Sequence, residues 1–240
     1  MITRISVLVV LFVACVSLAF IKPSLPKVLL MTKTNGFYHS SIPKGIAAVQ
    51  KLGKENGFEV VATKDSTLFN DDNLKQYSAI IFLSTTGTIF NDAQKAAIQK
   101  YIRSGGGFVG VHAATDTEYD WPWYNKMIGA WFESHPKQQV AKLIVKDKKH
   151  LATKHLPEIW ERKDEWYNFK NINPNIKVLI TLDEKSYEGG KNGDFHPMAW
   201  YHNFEGGRVF YTGVGHTDES YDEPLLLQHL LGGIKYAIGK

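Results

Sequence analysis

Gly105-Gly106-Gly107-Phe108-Val109-Gly110-Val111-His112-Ala113-Ala114 reads as a glycine turn feeding a short buried strand, Phe108 to His112, that stops abruptly on a histidine. In an open α/β sheet the crevice beyond the carboxyl ends of parallel strands is the usual ligand site. His112 is therefore expected where the fold would use a reactive side chain. The glycines precede the strand instead of following it, so they do not form a phosphate-cradling loop. No Gly-x-Ser-x-Gly elbow occurs in the chain.

Upstream of this segment, Lys27 to Met31 is a compact apolar run that reads as a first strand, followed by the polar loop Thr32 to Ser41. Pro43 suits a first helical turn, and Ile46, Ala47, Val49 and Leu52 supply an apolar helical face that stops at Asn56-Gly57. Phe58 to Ala62 and Tyr77 to Leu83 read as the second and third strands, with a short helix over Asp71 to Lys75 between them. Asn91 or Asp92 caps a helix from Ala93 to Arg103, which ends at the triple glycine. This alternation predicts an α/β fold: a flavodoxin-like, doubly wound, mostly parallel sheet, with the loops after Met31 and Val111 facing one crevice.

The second half is less regular. Pro122 opens a helix to Ile128, Gln138 to Val145 alternates as a strand, and Tyr187 to His196 is a loop rich in Gly, Asn and Asp. Met198 to Phe204, the turn Glu205-Gly206-Gly207 and Arg208 to Tyr211 form an antiparallel hairpin whose second strand leads to Gly215-His216. Pro224 opens a last helix through Ile238. Residues 27–238 are expected to form one domain.

The 240 residues are 44% hydrophobic and 22% charged, an ordinary globular balance with length for one substantial core. Basic and acidic residues number 28 and 24 and are scattered, with no run of Lys or Arg dense enough to track phosphates, so nucleic acid is not an expected partner. Aromatics make up 12%, many in loops beside His and Asp. That mixture suits a sugar-like ligand, whose apolar faces stack on rings while its hydroxyls need polar partners; it equally suits a core rim.

At the N-terminus Arg4, the apolar run Ile5 to Val16 and Ser17-Leu18-Ala19 read as a signal peptide over residues 1–19, giving a secreted or periplasmic protein. The single cysteine, Cys15, follows Phe12-Val13-Ala14, a loose lipobox, so a lipoprotein attached to the membrane at Cys15 is the alternative. Cleavage at Ala19 would leave no thiol, and both disulfides and cysteine catalysis would drop out.

Three histidines end strands or the loops just beyond them: His39 after the first, His112 after the fourth and His216 after the last. One such histidine is ordinarily a hydrogen-bonded structural residue, but three arriving at one sheet edge point to use. His135, in Trp131-Phe132-Glu133-Ser134-His135-Pro136, either caps the preceding helix or adds a fourth imidazole. Asp116 could orient the His112 ring through its second nitrogen, take a proton itself, or cap the next turn. Asp164-Glu165-Trp166-Tyr167 is either solvated surface or a pocket wall, and His155, His196 and His202 read as ordinary loop or hairpin residues. Imidazole with carboxylate suits Zn or another divalent ion, although the sequence has no short paired His spacing to make a metal site explicit.

The segments Phe37-Tyr38-His39-Ser40-Ser41, Gly105 to His112 with Asp116, Trp131 to Pro136, Asp164 to Tyr167, Pro197-Met198-Ala199-Trp200, and Gly207 to His216 together resemble the ThuA-like (trehalose utilisation) family over roughly residues 27 to 238. The resemblance implies a bacterial protein with a class I glutamine amidotransferase-like fold. That superfamily carries a cysteine nucleophile on a tight turn between strand and helix; here His112 falls in or beside that position and neither Ala113 nor Ala114 replaces the thiol. Amidotransferase chemistry is thus excluded. The family instead implies a link to disaccharide breakdown, beside dehydrogenases that make 3-keto glycosides. A ketone acidifies the neighbouring C–H, so a base of near-neutral pKa can form an enolate that a second imidazole or a metal stabilises, and the enolate can lead either to isomerisation of the sugar or to expulsion of the glycosidic group.

On this reading His112 or His39 is the base, His135 and His216 stabilise the enolate or bind metal, and Asp116 orients. Tyr38, Trp131, Glu165, Tyr167 and Trp200 are expected to bind the carbohydrate. Two other classes also fit: a non-catalytic carbohydrate-binding module stacking sugars on Trp121, Trp123, Trp166 and Trp200, and a metal-dependent hydrolase of another small substrate.

Overall fold

The computed structural model describes residues 24–240. The expected signal peptide and Cys15 lie outside the described residues. Five strands, β1 (Lys27–Met31), β2 (Glu59–Thr63), β3 (Ala79–Leu83), β4 (Gly107–Val111) and β11 (Gly207–Thr212), run parallel in the order β2-β1-β3-β4-β11. This is the flavodoxin order, with β11 in fifth place. The sheet then continues antiparallel through β10 (Pro197–Phe204), β9 (Lys177–Leu182), β6 (Gln139–Val145) and β7 (Ile159–Asp164) to nine strands. Two short strands, β5 (Trp131–Ser134) and β8 (Asn168–Lys170), pair separately.

Every residue of β3 and β4 is buried, as central strands covered on both faces must be. The glycines of β4 show what covers them. A Cβ at Gly107 would meet the backbone of Ala237 in α5 (Pro224–Ile238), whereas one at Gly110 would meet Ile128 of α4 (Pro122–Ile128), on the opposite face. Helix α1 (Ile42–Asn56) packs with α5 and reaches β2 and β3. Helix α3 (Asp92–Arg103) starts at a capping box in which Asn91 and Gln94 exchange hydrogen bonds, and follows the short α2 (Asp71–Leu74).

Gly107 has no room for a side chain: the added Cβ would lie 2.2 Å from the Ala237 carbonyl oxygen. Because the three nearest atoms are all backbone of Ala237, Gly107→Ala should cost about 1–3 kcal/mol as β4 and α5 are forced apart. The check is the urea unfolding midpoint.

Two sequence expectations need correction. The fourth strand ends at Val111, not His112, which opens a 3-10 turn over His112–Asp116. Strand β7 was not anticipated because it turns Trp160, Arg162 and Asp164 inward, and two charges on the buried face defeat the apolar alternation that marks a strand.

Candidate functional site

The loops after β1, β4 and β11 meet at the carboxyl edge of the parallel strands, and the end of β7 joins them. After β1 the chain is zipped to the loop following β3: Thr86 O accepts from Asn35 N at 2.9 Å, and Thr86 Oγ1 donates to Phe37 O at 2.9 Å. This leaves Phe37 and Tyr38 exposed and turns His39 inward, where it is 3% exposed. The Phe37 ring stands edge-on to His39, and the Lys64 ammonium lies over Tyr38.

His112 sits on the elbow after β4 with φ of +49°, the left-handed region that non-glycine residues rarely adopt. Such strain persists only where surrounding structure holds it. Here Tyr211 donates to the His112 carbonyl at 2.8 Å, and the His112 ring meets Gly213 O through Nδ1 at 2.9 Å. A carbonyl can only accept, so Nδ1 carries a proton, and in the neutral ring Nε2 presents its lone pair to the interior. The ring is fully buried. Its orienting partner is this carbonyl and not Asp116, which corrects the sequence expectation.

His112 Nε2 lies 3.0 Å from His216 Nδ1 and 3.5 Å from Glu165 Oε2, and His216 Nδ1 is 3.0 Å from the same carboxylate oxygen. The His39 ring completes the group, its centroid 4.9 Å from that of His112 and 5.1 Å from that of His216. One ligand-capable atom from each of His39, His112, His216 and Glu165 lies within 4.8 Å of all the others. His135 approaches from the rim, with Nδ1 3.2 Å from Glu165 Oε1. Burial pushes the Glu165 carboxyl upward, but the adjoining His112 and His216 overcome it and hold the group well below the ordinary carboxylate range. Burial first, then the adjoining His112 and His216, push His39 down to about 3, so its imidazole is neutral at physiological pH.

One buried carboxylate fixes two members of this group. Asp164 Oδ1 accepts from Glu165 N at 2.9 Å and His216 N at 3.1 Å, while Oδ2 accepts from Gly215 N at 2.9 Å. Gly215 has φ of +115°, which a side chain would resist. Arg162 pairs with Asp164 at 3.1 Å and, on its other side, with Glu223 at 2.7 Å.

Asp116 stands at the edge of the cluster. Its Oδ1 accepts from Tyr119 at 2.6 Å, and that hydroxyl also lies 3.0 Å from Phe132 O. Burial raises the Asp116 carboxyl, against the opposing effects of the Tyr119 hydrogen bond and of His112, Lys170 and His135 nearby. Tyr119 was missed in the sequence; only its spacing of three residues from Asp116 could have suggested it.

The structure gathers His39, His112, His135, His216 and Glu165, and makes Glu165 the hub where a wall residue was expected. The Tyr167 ring packs on His112 at 4.4 Å and on Phe132 at 4.2 Å. Trp131 is 8% exposed beside Tyr119, with Nε1 buried and without a partner among the described residues. Trp200 does not belong to the site: it is fully buried, stacks on Tyr211 and donates Nε1–H to Ile128 O at 2.7 Å. His155, His196 and His202 each hold a backbone carbonyl, of Leu225, Tyr167 and Met127 respectively.

Comparison with known proteins agrees with this architecture. No curated protein matches the chain in sequence. Among solved structures, a ThuA-like protein from Bacteroides uniformis ATCC 8492 is 25% identical, with a TM-score of 0.76 over 91% of this chain and 94% of that one. A second, from Parabacteroides merdae ATCC 43184, is 22% identical and covers 89% of this chain and 90% of its own at a TM-score of 0.75. A cytoplasmic protein of Salmonella typhimurium LT2 shares the fold at 11% identity and a TM-score of 0.66, over 88% of this chain and 99% of that one. The family model for ThuA, described as trehalose utilisation, matches residues 27–237. The chain therefore belongs to the ThuA (trehalose utilisation) family.

Proposed function

We propose that the protein acts on a keto form of a disaccharide or glycoside, removing the proton next to the ketone and expelling the glycosidic group. The observation that carries this reading is the convergence of His39, His112 and His216 on Glu165, with Asp116 and His135 at its open side. His39, His112 and Glu165 are buried and His216 half-buried, a set of donors that would hold a cation, and such a cation would stabilise charge on a substrate oxygen. Proton transfer falls to the outer groups. Asp116 takes the proton from the carbon beside the ketone, and the C–H electrons form a carbon–carbon double bond as the enolate develops. The enolate then collapses, the bond from the anomeric carbon to the glycosidic oxygen breaks, and that oxygen receives a proton from His135. The products are an unsaturated keto sugar and the released alcohol or sugar, with no further reactant.

Incubation with 3-keto trehalose beside unoxidised trehalose tests this. The keto sugar should be consumed with release of glucose, and trehalose, which lacks the acidifying ketone, should remain. Equal consumption of both, or of neither, would sink the reading. Asp116→Asn should lower kcat/KM by about 10²–10⁴-fold.

In the parent enzyme the base must be ionised, so kcat/KM should fall as pH drops through the raised Asp116 pKa. Tyr119, His112, His135 and Lys170 are the groups whose charge or hydrogen bonding bears on that carboxyl. An acid limb unchanged in a Tyr119→Phe variant would count against the assignment, since loss of that hydrogen bond raises the carboxyl further.

A binding module that stacks sugars is less well supported, because Trp121, Trp166 and Trp200 are all buried and Trp123 lies against Trp121. Export is part of the proposal, by cleavage after Ala19 or by lipidation at Cys15; intact mass of the native protein separates the two. No helix among the described residues is long and apolar enough to cross a membrane.

A further inference from the structure

The contacts inside the histidine cluster do not add up as hydrogen bonds. With Nδ1 protonated against Gly213 O, the neutral His112 ring has a lone pair at Nε2. A proton on His216 Nδ1 could face that lone pair or the Glu165 carboxylate, both 3.0 Å away, but not satisfy both well. His39, 3% exposed, leaves Nδ1 buried with no partner among the described residues. Lone pairs and one carboxylate thus converge on a common point, an arrangement that repels itself unless a cation sits within it.

The spacings fit such an ion. Donors about 2.0–2.1 Å from one metal stand about 3.0 Å apart across a right angle and about 3.4 Å apart across a tetrahedral one. The separations among His112 Nε2, His216 Nδ1 and Glu165 Oε2 are 3.0, 3.0 and 3.5 Å. The surroundings also match those of a metal centre. The His112 proton is held by a backbone carbonyl, which fixes ring and tautomer, and the second Glu165 oxygen is engaged by His135.

We propose that His39, His112, His216 and Glu165 ligate one divalent transition-metal cation. Three imidazoles and one carboxylate suit Zn²⁺ or its first-row neighbours, whereas Mg²⁺ and Ca²⁺ favour all-oxygen sets. The four ligands come from four separate segments, so the sequence has none of the short paired spacing that marks a metal motif. Ion binding rests on these donors alone. Its task, polarising the substrate ketone, rests on the keto-sugar reading above.

The full-length protein, dialysed against a chelator and titrated calorimetrically with ZnCl₂, should take up about one ion per chain. With CoCl₂ it should develop visible absorption. Glu165→Gln and His216→Ala should each weaken uptake by at least about 100-fold, and His135→Ala, which touches Glu165 only from outside, by about 10-fold. Circular dichroism checks that each variant is folded, and Zn²⁺ should raise the Tm of the parent protein but not of Glu165→Gln. The proposal falls if folded parent protein takes up neither ion at micromolar concentration, or if Glu165→Gln and His216→Ala bind like the parent. Uptake without keto-sugar turnover would keep the ion and remove its task. Turnover untouched by chelation, with no ion bound, would overturn the ion and keep the keto-sugar reading.

Discussion

Replacing His112 by asparagine should lower kcat/KM on a 3-keto disaccharide by about 10³-fold, because the cluster loses a donor to the cation that would stabilise transition-state charge. Asparagine is the informative choice because it tolerates the left-handed region, and residue 112 has φ of +49°. The elbow can therefore survive while the imidazole lone pair at the centre of the cluster is lost. His202→Asn supplies the contrast. His202 is also buried and also bonds a carbonyl, that of Met127 at 2.7 Å, but it lies outside the cluster. Its replacement should lower the unfolding midpoint and leave kcat/KM within about threefold of the parent, since an altered buried hydrogen bond is a stability effect. Both variants are read by kcat/KM together with Tm. If His112→Asn keeps activity within tenfold, or if the two lose activity alike, the cluster is a structural knot and not a reacting centre.

The part of this centre that is legible in the sequence is the part the parallel sheet delivers. β1, β4 and β11 are apolar runs that end in His-bearing loops, and the order of a doubly wound sheet sends such ends to one edge. His39, His112 and His216 follow from that rule. Glu165 does not. It arrives from β7, the far edge strand, and nothing local in Asp164-Glu165-Trp166-Tyr167 distinguishes a hub carboxylate from a surface one. Trp200 shows the reverse error: an aromatic beside polar residues reads as a sugar platform, yet burial and a hydrogen bond to Ile128 O make it core. The role expected for Asp116 fails for a related reason. Spacing of four residues brings it near His112, but the ring nitrogen goes instead to the Gly213 carbonyl, just beyond the neighbouring strand β11.

Asp164→Ala should lower stability by about 3–5 kcal/mol, the usual result of stripping one partner from a buried ion pair. Arg162, 8% exposed, would keep Glu223 but lose its contact with Asp164, and the amides of Glu165, Gly215 and His216 would lose their acceptor. Loss of activity in that variant would be ambiguous, because an unstable chain is inactive for many reasons. The double variant Arg162→Met, Asp164→Leu resolves it. Apolar residues of similar volume in place of a buried pair are often neutral or stabilising, so the unfolding midpoint should rise above that of Asp164→Ala, stopping short of the parent because three amides still lack an acceptor. Turnover should not return, because no leucine can hold the Gly215 and His216 amides or set Glu165 against them. Recovery of stability and turnover together would show that Asp164 serves the fold alone. Recovery of stability without turnover makes it the positioning residue of the site, the single carboxylate that brings Glu165 from β7 to His216 beyond β11.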